Sequence, residues 1–285
     1  MTASGDIRSN RPGRLERLLL GGPAVRSSMA SRVGLEAIAA GGLLPAMEGF
    51  VHMKTDTHEI APNIFRLSTL VPDITADGFS FNQFLIRAEE PMLFHCGPRA
   101  MFPLVSEAVR RLIDLNDLRW ISFGHVESDE CGSMNQWLAA APHAQVMHGQ
   151  TACDVSLNDL ADRPPRVLLD NELVELGGKR ARFLYTPHVP HGWDAGVFME
   201  ETTNTLLCGD LFTHAGNGPA IVESDVVGPA AATERMFQSM SMAPNTRPTL
   251  ERLAALQPRV LAIMHGSSFS GDGAKALSEL ASALT

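Results

Sequence analysis

The chain has 285 residues, of which 45% are hydrophobic and 19% charged, a composition typical of a globular protein with a sizeable core. Its 23 lysine and arginine residues stand against 32 aspartate and glutamate residues, giving a net charge of −9, which argues against nucleic acid and anionic membranes as partners. No apolar run approaches the roughly 18–20 residues that span a bilayer, so we expect a cytoplasmic protein without a membrane segment. The four cysteines form no CxxC pair and indicate neither a disulfide framework nor a cysteine zinc site.

Residues 1–52 differ in composition from the rest of the chain. They contain six arginines, no lysine and four acidic residues, and they are rich in glycine, serine and alanine without a sustained helical or strand period. Such a stretch is typical of a disordered extension, and Met53 also reads as the start of a domain. We therefore predict an N-terminal extension over residues 1–52, disordered or the result of a start codon assigned too early, and one domain over residues 53–285.

Short apolar strands alternate with helices from Met53 onward. Apolar runs bounded by turn residues predict strands at residues 63–69, 79–87, 91–95, 119–124, 145–148 and 259–264. Turn signals predict hairpins over residues 172–184 and 196–208. Helical spacing predicts helices at residues 99–113, 131–140, 249–256 and 273–284. Two halves that each mix strands and helices indicate an α/β protein, a four-layer αββα sandwich in a single domain.

The densest polar cluster follows a predicted buried strand, at His125, Glu127, Asp129 and Glu130. A helix N-terminus would account for acidic residues here, because they cap the helix and meet its positive dipole end. It would not account for His125, nor for three neighbouring carboxylates whose repulsion costs stability without a compensating cation. The pattern therefore favours a metal site.

Three further polar residues follow predicted strands beside glycine or proline, namely His191, Asp210 and His265. The ordinary interpretation of any one of them is a hydrogen-bonded loop residue. Together with the first cluster, in this order, they favour metal binding. His188 is the main rival of His191, because both lie in the same proline-rich loop.

The order of these residues resembles the metallo-β-lactamase superfamily and, within it, the flavodiiron and oxygen-binding di-iron branch. That branch carries an H-x-E-x-D-H motif, then a histidine in a TPxLHWPD-like stretch, an aspartate after a strand end, and a histidine before glycine. The strand at residues 81–86 is similar to the family's early YNSYLI-like strand, and the resemblance covers residues 53–285. The residues that match the motif positions are His125, Glu127, Asp129, His191, Asp210 and His265.

The chain departs from that branch in two ways. Glu130 stands where the branch has a histidine after the aspartate, and no flavodoxin-like domain or rubredoxin-like cysteines follow the candidate domain. The zinc hydrolases of the superfamily have H-x-H-x-D-H, so Glu127 and Glu130 stand where their imidazole-rich site has histidines. We therefore expect no flavin domain in this chain and electrons from an external donor.

The resemblance implies two metal ions, and the ligand set is rich in carboxylate oxygen. Its four acidic members carry four negative charges when ionised, enough to neutralise two divalent cations, and hard oxygen ligands favour iron over zinc, with manganese and zinc as the alternatives. For Glu130 a second role is open, that of supporting a ligand from outside the coordination shell. Our assignment is His125, Glu127 and His191 to the first metal, Asp129, Glu130 and His265 to the second, and Asp210 as the bridge.

The resemblance further implies a protein that binds and reduces O2 or NO at two irons, with no catalytic residue beyond the metal ligands. Two alternatives stay open. A dinuclear metallo-hydrolase would direct a metal-activated hydroxide at an ester, lactone or phosphoester. A non-catalytic di-iron sensor would bind O2 and signal through its conformation. A homodimer is compatible with the resemblance to the superfamily.

Overall fold

The computed structural model describes residues 53–284, and the prediction made for residues 1–52 lies outside the described residues. Two seven-stranded sheets form the centre of the described part. In the first sheet the strands lie side by side in chain order: β1 (Thr55–Ala61), β2 (Ile64–Val71), β3 (Phe79–Ile86), β4 (Met92–Phe94), β5 (Trp120–Ser122), β6 (Gln145–Gly149) and β7 (Arg166–Leu168).

The second sheet follows the first along the chain, and its spatial order is β12-β14-β13-β11-β10-β9-β8. Its strands are β8 (Leu173–Glu175), β9 (Arg180–Tyr185), β10 (Gly196–Glu200), β11 (Thr205–Leu207), β12 (Ile221–Val222), β13 (Val260–Ala262) and β14 (Ser268–Ser270). The helices are α1 (Phe102–Arg110), α2 (Ser128–Cys131), α3 (Met134–Ala140), α4 (the consecutive turns Gln150–Ala152, Cys153–Leu157 and Asn158–Leu160), α5 (Val227–Phe237), α6 (Thr246–Ala254) and α7 (Gly273–Leu284).

Strand direction changes once within the first sheet. Strands β1 to β4 are antiparallel neighbours, whereas β4 to β7 are parallel. Parallel neighbours need crossover connections, and α1, the pair α2 and α3, and α4 lie in the three connections. In the second sheet β11 and β13 are parallel, so the segments that leave their carboxyl ends start from the same edge.

Strand β3 is buried along its whole length, because both of its faces are covered. Leu85 packs into a cluster with α1 and α3, while Phe84 and Ile86 pack into a cluster shared with the second sheet. A third cluster joins the outer face of the second sheet to α6 and α7, through residues such as Leu250 and Leu277. Three apolar layers between four layers of secondary structure confirm the predicted αββα sandwich.

Most of the predicted elements are present, and those missed lack a clear apolar period. The predicted strands at 63–69 and 79–87 and both hairpins correspond to β2, β3, β8–β9 and β10–β11. Strand β1 was not predicted, because it is half-exposed and polar in its first residues. The sequence does not predict helix α5, because its residues, VGPAAATERMF, have glycine and proline at the second and third positions and a weak apolar face. None of the helices described combines the length and the apolarity that a bilayer crossing requires.

Candidate metal centre

The predicted site residues lie in the segments that leave the carboxyl ends of four strands. His125 follows β5, His191 lies between β9 and β10, Asp210 follows β11 and His265 follows β13. Two backbone hydrogen bonds hold these segments together across the sheets. The N–H of Gly196 donates to the carbonyl of Gly124 at 2.7 Å, and the N–H of Asn82 donates to the carbonyl of Met264 at 2.9 Å.

Four of the residues form a compact group of donor atoms. One side-chain atom from each of His125, Glu127, His191 and Asp210 lies within 4.8 Å of the other three. Glu127 Oε2 lies 2.7 Å from His125 Nε2 and 3.2 Å from His191 Nε2. His191 Nε2 is in turn 3.3 Å from Asp210 Oδ2. We refer to this group as the first position.

Three donor atoms form a second group beside the first. Nε2 of His265 lies 3.3 Å from Asp129 Oδ2 and 3.3 Å from Asp210 Oδ1. Asp210 therefore presents one carboxylate oxygen to each group. We refer to His265, Asp129 and this Asp210 oxygen as the second position. Six of the seven predicted ligands are thus brought together.

Glu130, the seventh predicted ligand, faces away from both positions. Its side chain is completely buried, and its Oε2 accepts hydrogen bonds from the backbone N–H groups of Gly124 and His125. Its Oε1 lies 3.1 Å from Nδ1 of His125, and its Oε2 lies 3.3 Å from Nδ1 of His95. The assignment of Glu130 to the second metal does not match this geometry, because its ion-pair contacts within residues 53–284 are with His95 and His125 and not with His265.

At Gly124 and Gly266 the backbone lies so close to a neighbouring side chain that a Cβ has no room. A Cβ on Gly124 would lie 2.9 Å from both carboxylate oxygens of Glu130, and a Cβ on Gly266 would lie 2.3 Å from Nε2 of His214. Gly266 also has a φ of +105°, a region that residues with a Cβ rarely adopt. His265 is oriented from behind by the carbonyl of Ser80, which lies 2.9 Å from its Nδ1.

Opposite charges dominate the electrostatics of the cluster. Burial lowers the pKa of His125, but the carboxylates of Glu130 and Glu127 outweigh burial and raise that pKa to about 12. Burial also lowers the pKa of His265, but the carboxylates of Asp129 and Asp210 outweigh burial and raise that pKa to about 10. Hydrogen bonds from His125 and His191 hold the pKa of Glu127 well below its ordinary value. In the metal-free cluster, protons on the imidazoles thus occupy the place that a bound cation would take.

The donor set fits divalent metal ions. Donor atoms that share one metal at bond lengths of about 2.0–2.2 Å lie about 3 Å apart, close to the 2.7–3.3 Å found between neighbouring donors here. Asp210 Oδ1 is buried, and its contact with His265 Nε2 at 3.3 Å does not have hydrogen-bond geometry. A buried carboxylate oxygen left in this way is costly unless a cation or a proton meets it. The donor spacings fit a metal ion at the first position, and the Asp210 oxygen supports one at the second, which has fewer donors.

The structure also decides between the two histidines of the loop before β10. His188 is exposed, whereas the His191 ring packs edge-on against His125 with 4.5 Å between ring centroids. Asp194, in the same loop, is buried and accepts a hydrogen bond from the N–H of Val126 at 3.0 Å. That bond ties the loop of His191 to the loop of His125.

Sequence reasoning missed an aromatic wall around His265. The rings of Phe79 and Phe81 lie 4.5 Å and 5.1 Å from its imidazole ring, centroid to centroid. Phe237, at the end of α5, packs edge-on against Phe79 at 5.8 Å. The alternation of Phe79 and Phe81 along one strand is a visible signal for two of these rings, because alternate residues face the same side of a sheet. No local pattern connects Phe237 to them.

An αββα sandwich with histidine and carboxylate side chains gathered at its strand ends is a metallo-β-lactamase-like protein with a candidate dinuclear metal centre. Residues 79–266 match the model of the ODP family beta lactamase, and the chain belongs to this family. The family resemblance expected from the sequence is thereby confirmed.

The chain is similar to several flavodiiron proteins. It is 27% identical over 199 residues to the putative diflavin flavoprotein A 1 of Thermosynechococcus vestitus, covering 67% of this chain and 34% of that protein. It is 29% identical over 167 residues to the anaerobic nitric oxide reductase flavorubredoxin of Salmonella arizonae, covering 57% of this chain and 31% of that protein. The structure of rubredoxin oxygen:oxidoreductase from Desulfovibrio gigas superposes with a TM-score of 0.69 at 16% identity, over 80% of this chain and 62% of that one. The chain therefore spans about a third of the length of the Thermosynechococcus and Salmonella proteins.

Proposed function

We propose that this chain binds two iron ions in the two positions and reduces O2 or NO with electrons from a separate donor. The observation that carries the proposal is the shared carboxylate of Asp210, which meets His191 through one oxygen and His265 through the other. A carboxylate placed in this way suits two metal ions held side by side. The names of the relatives support the choice of substrates, since one is called a nitric oxide reductase and another an oxygen oxidoreductase.

The chemistry of the donors favours iron. The two positions together offer three imidazoles and three carboxylates, whereas structural zinc sites are built mainly from thiolates and imidazoles. Carboxylate and imidazole together suit iron, which prefers harder ligands than zinc. Anionic oxygen ligands also stabilise the higher oxidation state, so the reduced centre is expected to give electrons readily.

The protein's own side chains have two tasks in this proposal, to orient the ligands and to limit water. His125 and His265 are almost fully buried and hold fixed directions, because each is contacted from behind by Glu130 or by the Ser80 carbonyl. Glu127 is about half exposed and lies on the solvent side of the cluster. The rings of Phe79, Phe81 and Phe237 limit water next to His265 and leave an apolar surface suited to a small uncharged gas.

Bound iron would supply one-electron redox chemistry and open coordination positions. Reduction of O2 to two water molecules consumes four electrons and four protons. Coupling of two NO molecules to N2O and one water consumes two electrons and two protons. The proposal takes these electrons from a separate one-electron carrier or a reduced flavin protein.

The test is metal analysis followed by single-turnover chemistry. About two irons per chain, with a near-ultraviolet ferric band that dithionite bleaches, are expected. After excess dithionite has been removed, each reduced centre holds two electrons, so two NO molecules per centre should yield one N2O, measured by gas chromatography. O2 should restore the band irreversibly, with one O2 reduced to water for every two centres oxidised, because that reduction takes four electrons. The Asp210→Asn variant, which lacks the shared carboxylate, serves as the matched control and should be inactive.

Two other outcomes would contradict the proposal in distinguishable ways. Two zinc ions in a colourless, redox-silent protein would indicate a dinuclear hydrolase, to be followed with ester, lactone and phosphoester substrates. Reversible O2 binding, with recovery of the reduced spectrum under vacuum and no product, would indicate an oxygen sensor.

A further inference from the structure

The two metal positions are not equivalent, and Glu130 is the residue that makes them differ. Glu130 and Asp129 are consecutive residues of helix α2. Consecutive helical side chains point about 100° apart, and here the two carboxylates turn to different neighbours. Asp129 is turned toward His265 at 3.3 Å, and Glu130 is turned into the core.

The carboxylate of Glu130 is already in contact with other groups of the protein. Four nitrogen atoms surround it: the backbone nitrogens of Gly124 and His125 donate hydrogen bonds, and the Nδ1 atoms of His125 and His95 lie at 3.1 Å and 3.3 Å. The side chain is completely buried. A metal at the second position would have to compete with two backbone hydrogen bonds for this carboxylate, because a buried N–H left without an acceptor is destabilising.

The donor counts of the two positions follow from this orientation. The first position has four side-chain donors, from His125, Glu127, His191 and Asp210. The second has three, from Asp129, His265 and Asp210. His125 and His265 also differ in the group that contacts their Nδ1 atom.

That difference is one of charge. A carboxylate, Glu130, lies behind His125, whereas a neutral carbonyl, that of Ser80, lies behind His265. An anionic partner on the far ring nitrogen makes the imidazole a stronger donor to a metal.

We propose that Glu130 is a positioning residue for His125, and that the two positions consequently bind metal with unequal affinity, the first position filling before the second. The inference rests on the proposed dinuclear centre and concerns how that centre is loaded. In the resembling branch a histidine stands at the position of Glu130. Here the carboxylate strengthens one position from behind and leaves the other with one side-chain donor fewer.

Titration of the metal-free full-length chain with Co2+, followed by its visible absorption and by calorimetry, tests the inference without any turnover. The wild type should bind two equivalents in separate steps, with at least about tenfold difference in affinity. Glu130→Gln should weaken binding at the first position by about 10–100-fold, the usual effect of losing an outer hydrogen-bond partner of a metal ligand. Binding at the second position should keep its wild-type affinity. The matched control, Asp129→Asn, removes a carboxylate from the neighbouring helical residue and should weaken the second step alone.

Two results would overturn the inference while the dinuclear function stands. One is a Glu130→Gln variant that loses the second step as Asp129→Asn does, which would make Glu130 a ligand of the second metal. The other is a wild type with two steps of equal affinity. If Glu130→Gln fails to fold by circular dichroism, the wild-type titration still decides, because a fourth donor at the second position predicts nearly equal steps. A chain that takes up no Co2+, Fe2+ or Zn2+ would overturn the proposed function itself.

Discussion

Asp210 and His265 face each other at the junction of the two metal positions, with Oδ1 of the carboxylate 3.3 Å from Nε2 of the imidazole. Both residues follow parallel strands, β11 and β13, whose registers pair Leu207 with Ala262. Each stands three residues beyond its paired strand residue. The two side chains therefore emerge at the same level of the second sheet, which explains how residues 55 apart in the chain come to share one site.

Replacement of Asp210 by asparagine is expected to empty both positions. The amide is uncharged and a weaker donor, and it would stand between two metal ions that need a shared anion. Iron content measured by elemental analysis should fall from about two per chain to less than one, with the circular dichroism spectrum unchanged. Glu223→Gln, which neutralises an exposed carboxylate outside the site, should keep the wild-type iron content. Full iron content in Asp210→Asn would contradict the bridging role.

The loop before β10 offers a matched pair of histidines. His191→Asn should remove one of four donors from the first position and weaken its metal binding by at least about tenfold. His188→Asn should leave metal binding unchanged, because His188 is exposed and asparagine tolerates its positive φ of 64°. Calorimetric titration with Co2+ measures both variants. A loss of metal in His188→Asn equal to that in His191→Asn would show that the loop, rather than the His191 ring, is what matters.

The aromatic wall is expected to slow exchange at the second position. Phe237→Ala would remove the ring that covers Phe79 and open the side of His265 to water. The rate at which excess chelator extracts the more weakly held metal should rise about threefold, since the apolar shell of a metal site controls solvent access. Met236→Ala is the control, because Met236 precedes Phe237 on the same helix and is 65% exposed. Equal extraction rates for the wild type and Phe237→Ala would show that the aromatic wall does not control solvent access to the second position.

Glu200 contributes to stability far from the metal centre. Its buried carboxylate accepts hydrogen bonds from Thr202 and Thr203 and lies 3.4 Å from the Lys179 amine. Burial raises the pKa of Glu200, but these hydrogen bonds and the amine outweigh burial and hold the pKa below its ordinary value. Glu200→Gln should therefore lower the free energy of unfolding by about 2 kcal/mol at neutral pH.

The pH dependence of this effect has a definite sign. A carboxyl group whose pKa is lower in the folded state stabilises the protein above its unfolded-state pKa of about 4.3, and that contribution disappears as pH falls through the folded-state value. Urea unfolding of the metal-free protein should show the difference between wild type and Glu200→Gln shrinking below that pH. Glu175→Gln, at an exposed position of β8, should show no such difference. A constant difference at all pH values would mean that shape, not charge, makes Glu200 important.

Much of this protein could be predicted from local patterns. Apolar runs and turn residues identify β2, β3 and both hairpins of the second sheet, because strand period and turn chemistry are properties of neighbouring residues. The polar residues at the strand ends identify the site for a similar reason. His125, Asp210 and His265 each follow a buried strand, at the edge of the sandwich where the loops between strands and helices lie.

Which of these side chains face one another depends on the tertiary structure. The residue types, their order along the chain and the family resemblance can all be found in the sequence. The family motif favoured His191 over His188, but the motif does not show where either side chain points, and it left two roles open for Glu130 beside Asp129. That direction is set by loop conformation in the first pair and by the roughly 100° turn between helical neighbours in the second. The contact of Phe237 with Phe79 joins residues 158 positions apart, so only the packing of α5 against the first sheet creates it.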